Sequence, residues 1–404
     1  MTSQSSATGA LALTETDLRA ALDQAFATVR ANIANFGDAY PDDCTVDGTY
    51  QLRQHSAEYP HGANYGWTTS FVPGMQWIAW EATGDVVFRE AALRHADDFA
   101  RRLTALEDLD HHDIGFLYSL ASVAPWKVLG NETARDTALA AANHLMTRFL
   151  EPAGIIQAWG DLADPSQQGR AIIDSLINMP LLTWAYEQTG EERFADAVRR
   201  HTAQLRDHII RPDNSTFHTF YWDVVTGEPL RGATAQGAHD DSCWSRGQAW
   251  GIYGFAMAFR TSGDPSMLDA ARRCTDYFLA HLPADDVSYW DLIYRDGSDE
   301  PRDSSAAAIA VTGLRELAEV ETDPARAQQA TEFADRILAS LIANYTPAEG
   351  TSNALLLHGV YSLPGGAGVD EGNLWGDYFY LEALMRTLNP NWRPYWLTAK
   401  QEQA

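Results

Sequence analysis

Lysine is almost missing from this sequence: Lys127 and Lys400 are the only two, against 55 acidic residues, and the formal net charge is −26. Such a surface argues against nucleic acid as a partner, and any cation that binds something is expected to be an arginine. Cysteine is scarce too. Cys44, Cys243 and Cys274 are odd in number and lack metal-ligand spacing, which argues against a disulfide framework or a zinc site. No HExxH or CxxC motif occurs, and the adjacent His111, His112 and Asp113 cannot converge on one metal without help, so no metal is expected. Long apolar runs are absent as well. The first residues, MTSQSSATGALALTETD, have neither a basic start nor an export-length apolar segment, and nothing later approaches a membrane span. A cytoplasmic protein without a membrane partner is expected. No Pro/Gly/Ser-rich linker divides the chain after about residue 40, and 45% of its 404 residues are hydrophobic. The expectation is one large domain over 1–404, with residues 1–15 as a flexible tail.

What is present is a repeat marked by its turns. ATGDVVF around Gly84, VLGNETA around Gly130, QTGEERF around Gly190, TSGDPSM around Gly263 and VETDPAR around Asp323 each separate an apolar segment from an amphipathic one. Gly followed by Asp, Asn or Glu suits a helix C-cap running into the next N-cap, so each marker joins two antiparallel helices. The first helix of each pair, such as SRGQAWGIYGFAMAF, is apolar nearly all round, whereas the second, such as MLDAARRCTDYFLAHL, has a polar face. ETDLRAALDQAFATVRANIANF and GNLWGDYFYLEALMRTL supply a last outer and inner helix from the two ends. Six inner helices ringed by six outer ones make an all-α (α/α)6 barrel; an open solenoid of helical pairs is the rival.

The loops before the inner helices emerge at one end, the mouth, and four inner helices open with aspartate: Asp113, Asp174, Asp240 with Asp241, and Asp303. Capping explains most of these residues. Asp174 fits it less well, because Ile172 and Ile173 precede it, while Ile177 and Leu181 share its helical stripe. Its side chain should face the barrel interior. Two inward carboxylates at one mouth cannot both ionise cheaply, so Asp113 with Asp174 could leave one as an acid near neutral pH, although helix N-termini favour the anion.

Trp67, Phe116, Trp159, Trp244 and Trp250 belong to the same mouth segments, where flat rings suit sugars and suit core packing equally. Arg246, in SRGQAW, has the planar fork that grips a carboxylate, or else forms a structural salt bridge to an acid. His218, in TFHTFYW, is either a proton-transfer partner or a satisfied histidine.

At these residues the sequence resembles glycoside hydrolase family 88, the unsaturated glucuronyl hydrolases. GWTTSF, LDHHDIGFLYS, GIIQAWGD, IIDSLINMPLL, FHTFYWD, WSRGQAWGIYG, YWD, RDSSAAAIA and WGDYFYLEAL occur in the family's order from about Trp67 to Tyr380. The resemblance implies an (α/α)6 barrel that removes the 4,5-unsaturated uronic acid from the non-reducing end of lyase-generated oligosaccharides, by hydrating a vinyl ether and without metal or organic cofactor. It implies Asp174 as general acid and base, Asp113 as the group that sets the Asp174 pKa, and His218 as a transition-state stabiliser. Trp67, Phe116, Trp159 and Trp250 would shape the ring slot, while Gln236, Arg246 and Tyr361 would contact the uronate. Relatives preferring 6-sulfated N-acetylgalactosamine are expected to carry Ser-x-x-Ser-x-Lys where this chain has Ser362-Leu363-Pro364-Gly365-Gly366-Ala367. Ser362 stays as a substrate contact, but the second serine and the lysine are gone, so unsulfated chondroitin- or hyaluronan-type disaccharides are the expected substrates. Family 105, the unsaturated rhamnogalacturonyl hydrolases, is the alternative, but it commonly reads RGNGW where this chain reads Arg246-Gly247-Gln248-Ala249-Trp250. A non-catalytic helical binding protein is a further alternative, one with no need of an aspartate on the Asp174 stripe. The sequence leaves the oligomeric state open.

Overall fold

The computed structural model describes residues 13–164, 167 and 169–397. Most of the expected tail lies outside these residues. Its last part does not behave as a tail: Thr14 closes a reciprocal capping box with Asp17 and starts α1 (Glu15–Phe36).

Every turn marker joins two helices. Gly84, Gly130, Gly190 and Gly263 take left-handed φ of 70°, 67°, 71° and 67° at the ends of α2 (Phe71–Thr83), α5 (Ala124–Leu129), α7 (Ser175–Thr189) and α9 (Ser245–Ser262). That conformation is cheap only for glycine. The next helices are α3 (Val86–Ala105), α6 (Glu132–Met146), α8 (Glu192–His208) and α10 (Pro265–Ala280). At the fifth marker α11 (Ser304–Val320) ends without glycine, through an extended Glu321, and Asp323 caps α12 (Pro324–Asn344). The last helix is α13 (Leu374–Leu388).

The apolar helices lie inside. Within α9 the run Ser245–Met257 is buried, whereas α8 buries only Phe194, Ala197, His201, Thr202 and Leu205 on one stripe. The inner neighbours run α4 (Ile114–Tyr118) to α7, α7 to α9, α9 to α11, α11 to α13 and α13 to α2, and α13 also packs on α1. A ring closed by its own ends is an (α/α)6 barrel and not an open solenoid.

One inner helix is irregular. Between α4 and α5 lies a π-helical turn, Ser119–Val123. Pro125 follows it; lacking an N–H it cannot donate to the preceding turn, and the wider turn absorbs the break without ending the helix.

The loops entering the inner helices carry short strands. They form a pair, β1 (Phe149–Leu150) with β2 (Ile155–Ile156), a three-stranded sheet of β3 (Arg170–Ile172), β4 (Thr219–Trp222) and β5 (Pro229–Ala233), and a hairpin of β6 (Gly359–Ser362) with β7 (Ala367–Glu371). All precede α7, α9 or α13 and so build up the mouth. No helix among the described residues is long and apolar enough to cross a membrane.

Candidate active site

The aspartates that open the inner helices divide into two kinds. Asp303 caps α11, its Oδ1 accepting from the N–H of Ser305 (3.1 Å) and Ala306 (3.4 Å). Asp113 and Asp174 hold the N-cap positions of α4 and α7, yet neither side chain accepts a capping bond. The two carboxyls converge on His112 instead, with one oxygen of each and a ring nitrogen all within 4.8 Å of one another.

A glycine brings this pair together. A Cβ placed on Gly115 would sit 2.3 Å from the Asn178 Cα, so α4 and α7 touch backbone to backbone. Asn178 then ties the two helices, its Oδ1 accepting from the Phe116 N–H (2.8 Å) and its Nδ2 donating to Asp113 Oδ1 (3.4 Å). His112 Nε2 stands between the carboxylates, 3.3 Å from Asp113 Oδ1 and 3.5 Å from Asp174 Oδ1.

Their surroundings push the two carboxyls apart in acidity. Burial, and then the charge of Asp113, hold Asp174 well above the usual carboxylate range; Arg246 and the N-terminal amides of α7 act in the opposite direction. Burial also acts upward on Asp113. There His112, His111 and Asn178 outweigh it and hold the carboxyl below its ordinary value. The surroundings thus favour the anion at Asp113 and the acid at Asp174. His112 is itself neutral at pH 7, because burial pushes it down to about 4. Asp174 Oδ1 is buried and has no hydrogen-bond partner among the described residues, which is the state of a group held ready for something else.

His218 faces the same space. Its Nδ1 accepts from the Ala235 N–H (3.3 Å) and lies 2.6 Å from Thr219 Oγ1, which places the ring proton on Nε2. Nε2 is buried without a partner among the described residues. Burial holds the ring neutral, at about 3. Its ring packs against Trp244 (4.9 Å between centroids) and Trp159 (6.5 Å).

The aromatic residues fall into two layers. Trp67 and Trp159 are half-buried at the mouth, whereas Phe116 and Trp250 are covered completely and pack on one another at 5.6 Å. The second pair is the floor of the site rather than its wall. Trp67 Nε1 donates to the Tyr361 hydroxyl (3.0 Å), and its ring lies 5.2 Å from Trp375.

Arg246 is a structural hub. Its Nη1 donates to Asp303 Oδ2 (2.9 Å) and the Val360 carbonyl (2.5 Å), and its Nη2 donates to Gln236 Oε1 (2.6 Å) and the Tyr361 carbonyl (2.8 Å). Trp244 and Trp375 sandwich the guanidinium at 4.3 and 5.1 Å. The expected open fork is closed: Nη1 is spent on Asp303 and the Val360 carbonyl, and Nη2 on positioning Gln236 and Tyr361. Of the salt bridge and the ligand fork left open by the sequence, the geometry contains the salt bridge.

Asp240 and Asp241 do not cap α9, which starts at Ser245 with Trp244 as N-cap. Asp240 instead accepts from the Thr234 N–H (2.8 Å), because the segment between the two aspartates and the helix turns once more before helical geometry begins. Ser362 Oγ, in β6, accepts from the Gly365 N–H (3.2 Å) inside the hairpin.

Sequence reasoning gave no role to His112 or Asn178. The signal for Asn178 was a polar residue four places after Asp174 in an apolar run, on the same helical stripe. His112, Asp113 and Asp174 also converge, with one possible ligand atom each within 4.8 Å of one another. The help that the adjacent His-His-Asp lacked comes from the other helix. A cation there would require both carboxylates ionised, against the direction in which Asp174 is pushed.

An (α/α)6 barrel with an unequal pair of carboxyls among aromatic rings at its mouth defines a carbohydrate-processing enzyme of the acid–base type. The chain matches the profile of Glycosyl Hydrolase Family 88 over residues 45–352 and belongs to that family. It is 43% identical over 386 residues to the unsaturated chondroitin disaccharide hydrolase of Streptococcus pyogenes serotype M1, covering 95% of this chain and 94% of that one. The crystal structure of unsaturated glucuronyl hydrolase from Streptococcus agalactiae superposes with a TM-score of 0.90 at 41% identity, over 95% of both chains. A variant of the S. agalactiae enzyme has been solved in complex with dGlcA-GalNAc6S; it covers 95% of this chain and 94% of its own, with a TM-score of 0.82 at 39% identity. The chain is thus a glycoside hydrolase.

Proposed function

We propose that this enzyme removes a 4,5-unsaturated uronic acid from the non-reducing end of glycosaminoglycan-type oligosaccharides by hydrating the vinyl ether. The observation that carries the reading is the pair of N-cap aspartates that cap nothing, one pushed by its surroundings toward the acid and the other toward the anion.

Protonated Asp174 gives its proton to C4, and the positive charge that develops at C5 is met by the Asp113 carboxylate nearby. Asp174, now a carboxylate, takes a proton from water as the oxygen bonds to C5. The hemiketal so formed opens, expelling the next sugar as an alcohol and leaving a 4-deoxy-5-keto uronate. The proton lost at C4 is regained from water, so Asp174 ends the cycle as it began. His218 directs its Nε2–H at the ring oxygens, while Trp67 and Trp159 hold the ring faces. Gln236 and Tyr361, fixed by Arg246, meet the uronate; the Arg246 charge acts on it through space, not through its own hydrogen bonds.

This chemistry needs the double bond and not the glycosidic bond alone. Unsaturated chondroitin disaccharide should lose the absorbance of its conjugated double bond, while its saturated counterpart stays intact; cleavage of both at similar rates would overturn the mechanism.

The β6–β7 hairpin bears on sulfate. Ser362 Oγ accepts from the Gly365 N–H and keeps its own proton to donate, but Gly366 turns at φ 62° and the next charged side chains are the anionic Asp370 and Glu371. A 6-sulfate there forgoes a charge-assisted contact worth about 1.5–3 kcal/mol, or roughly ten- to a hundredfold in preference relative to a lysine-bearing hairpin. Unsulfated disaccharide should therefore be hydrolysed at least as efficiently as the 6-sulfated one. A tenfold kcat/KM advantage for the sulfated member of a matched pair would sink this expectation.

A further inference from the structure

A cationic row runs outward from the site along the three-stranded sheet. Cross-strand pairing sets Arg170 of β3 opposite Tyr221 of β4, and Tyr221 opposite Arg231 of β5. Directly paired residues share one face of a sheet, so the three side chains stand in a line. The Arg170 guanidinium lies 5.1 Å from the Trp159 ring and 5.9 Å from that of Tyr221, and the Arg231 guanidinium lies 4.5 Å from Tyr221. Trp159 in turn neighbours His218. The row thus continues from the reacting centre toward solvent, where Arg231 is exposed.

Arg101, Arg200, Arg260 and Arg386 each reach two carboxylates. Neither Arg170 nor Arg231 makes an ion pair with a described residue, although the chain holds 55 acidic residues. Arg170 Nε donates to the Gln167 carbonyl (2.9 Å), and the aromatic rings flank both guanidinium groups, so the terminal nitrogens of Arg170 and the guanidinium of Arg231 are left without an ion pair among the described residues, an arrangement suited to a flat or tetrahedral oxyanion.

We propose that Arg170, Tyr221 and Arg231 form a downstream subsite for an anionic group of the saccharide beyond the cleaved uronate. The inference rests on the reaction proposed above and adds to it a preference for longer chains. The Trp159 ring links His218 (6.5 Å between centroids) to the Arg170 guanidinium (5.1 Å), and Arg231 lies one strand further out across Tyr221. That reach matches the carboxylate of the third sugar better than a group on the second. A sulfate on the second sugar presents similar chemistry and is separated by the test.

The test compares the parent enzyme with Arg170→Gln/Arg231→Gln on an unsulfated unsaturated disaccharide, its sulfated forms and an unsulfated unsaturated tetrasaccharide. The expected result is that the ratio of kcat/KM for tetrasaccharide over disaccharide falls about tenfold in the double variant, with a flatter dependence of KM on salt. A ratio within twofold of the parent overturns the subsite. A fall seen only with a sulfated disaccharide overturns the carboxylate assignment. If the parent turns over none of these substrates, the reaction reading fails separately. Calorimetric titration with the tetrasaccharide then decides the subsite: binding about tenfold weaker in the double variant supports it, and equal binding overturns it.

Discussion

Asp174 and Asp303 occupy equivalent positions, each at the start of an inner helix, and do opposite things. Asp303 is fully buried, accepts two amides of its own helix and neutralises Arg246. Asp174 leaves its helix uncapped and keeps a buried oxygen without a partner among the described residues. A helix N-terminus can serve equally as an anchor for a charge or as a mount for an acid; Asp303 has a directly paired arginine and two capping amides, whereas at Asp174 burial and the Asp113 charge outweigh the more distant Arg246 and the helix amides.

The sharpest way to break the comparison is to exchange the acid at each place. Asp174→Asn keeps shape but cannot exchange the proton, so turnover should fall by ~10²–10⁴-fold with the circular dichroism and melting curve preserved. More than a tenth of parent activity would remove Asp174 from the role of acid. Asp303→Ala should act on stability instead. It strands the buried Arg246 charge, a loss of about 3–5 kcal/mol in denaturant unfolding, and a variant as stable as the parent would show that Arg246 has another counter-charge.

A smaller effect is expected from Asp113→Asn. Removing that charge lowers the Asp174 pKa toward its ordinary value. Since the protonated form of Asp174 is the active one, rate is lost as pH rises through its pKa, and the alkaline limb of the kcat/KM profile should move to lower pH. A limb that stays in place or moves up would show that Asp113 does not set that acidity. The smallest effect is expected from chelation. With Asp174 acting through a proton, kcat/KM after treatment with a strong chelator should stay within about twofold of the untreated value, whereas loss restored by a divalent cation would assign the His112, Asp113 and Asp174 cluster to a metal.

The barrel was legible because its punctuation is local. Glycine at a left-handed C-cap followed by a capping residue repeats often enough to count the hairpins, and the contrast between all-apolar and one-faced helices orders them. The strands of the mouth were not legible, since two to five residues give no usable period. Asp174 stood out by its stripe, but the fate of Arg246 depended on Asp303, 57 positions away, and on the carbonyls of Val360 and Tyr361. No local pattern encodes such a partnership. His112 was hidden by adjacency: beside His111 and Asp113 it looked unable to converge on anything, until α7 delivered Asp174 from the other side.

The backbone contact at Gly115 divides labour within the molecule. The separation of the two carboxyls depends on how closely two helices approach at one missing methyl group, with Asn178 as the tie. Arg231, exposed at the outer strand of the sheet, and the hairpin carrying Ser362 belong to other parts of the mouth. Substitutions there can alter which saccharide enters while the proton-transfer geometry is left alone, so substrate choice can drift in evolution without each step having to rebuild the chemistry.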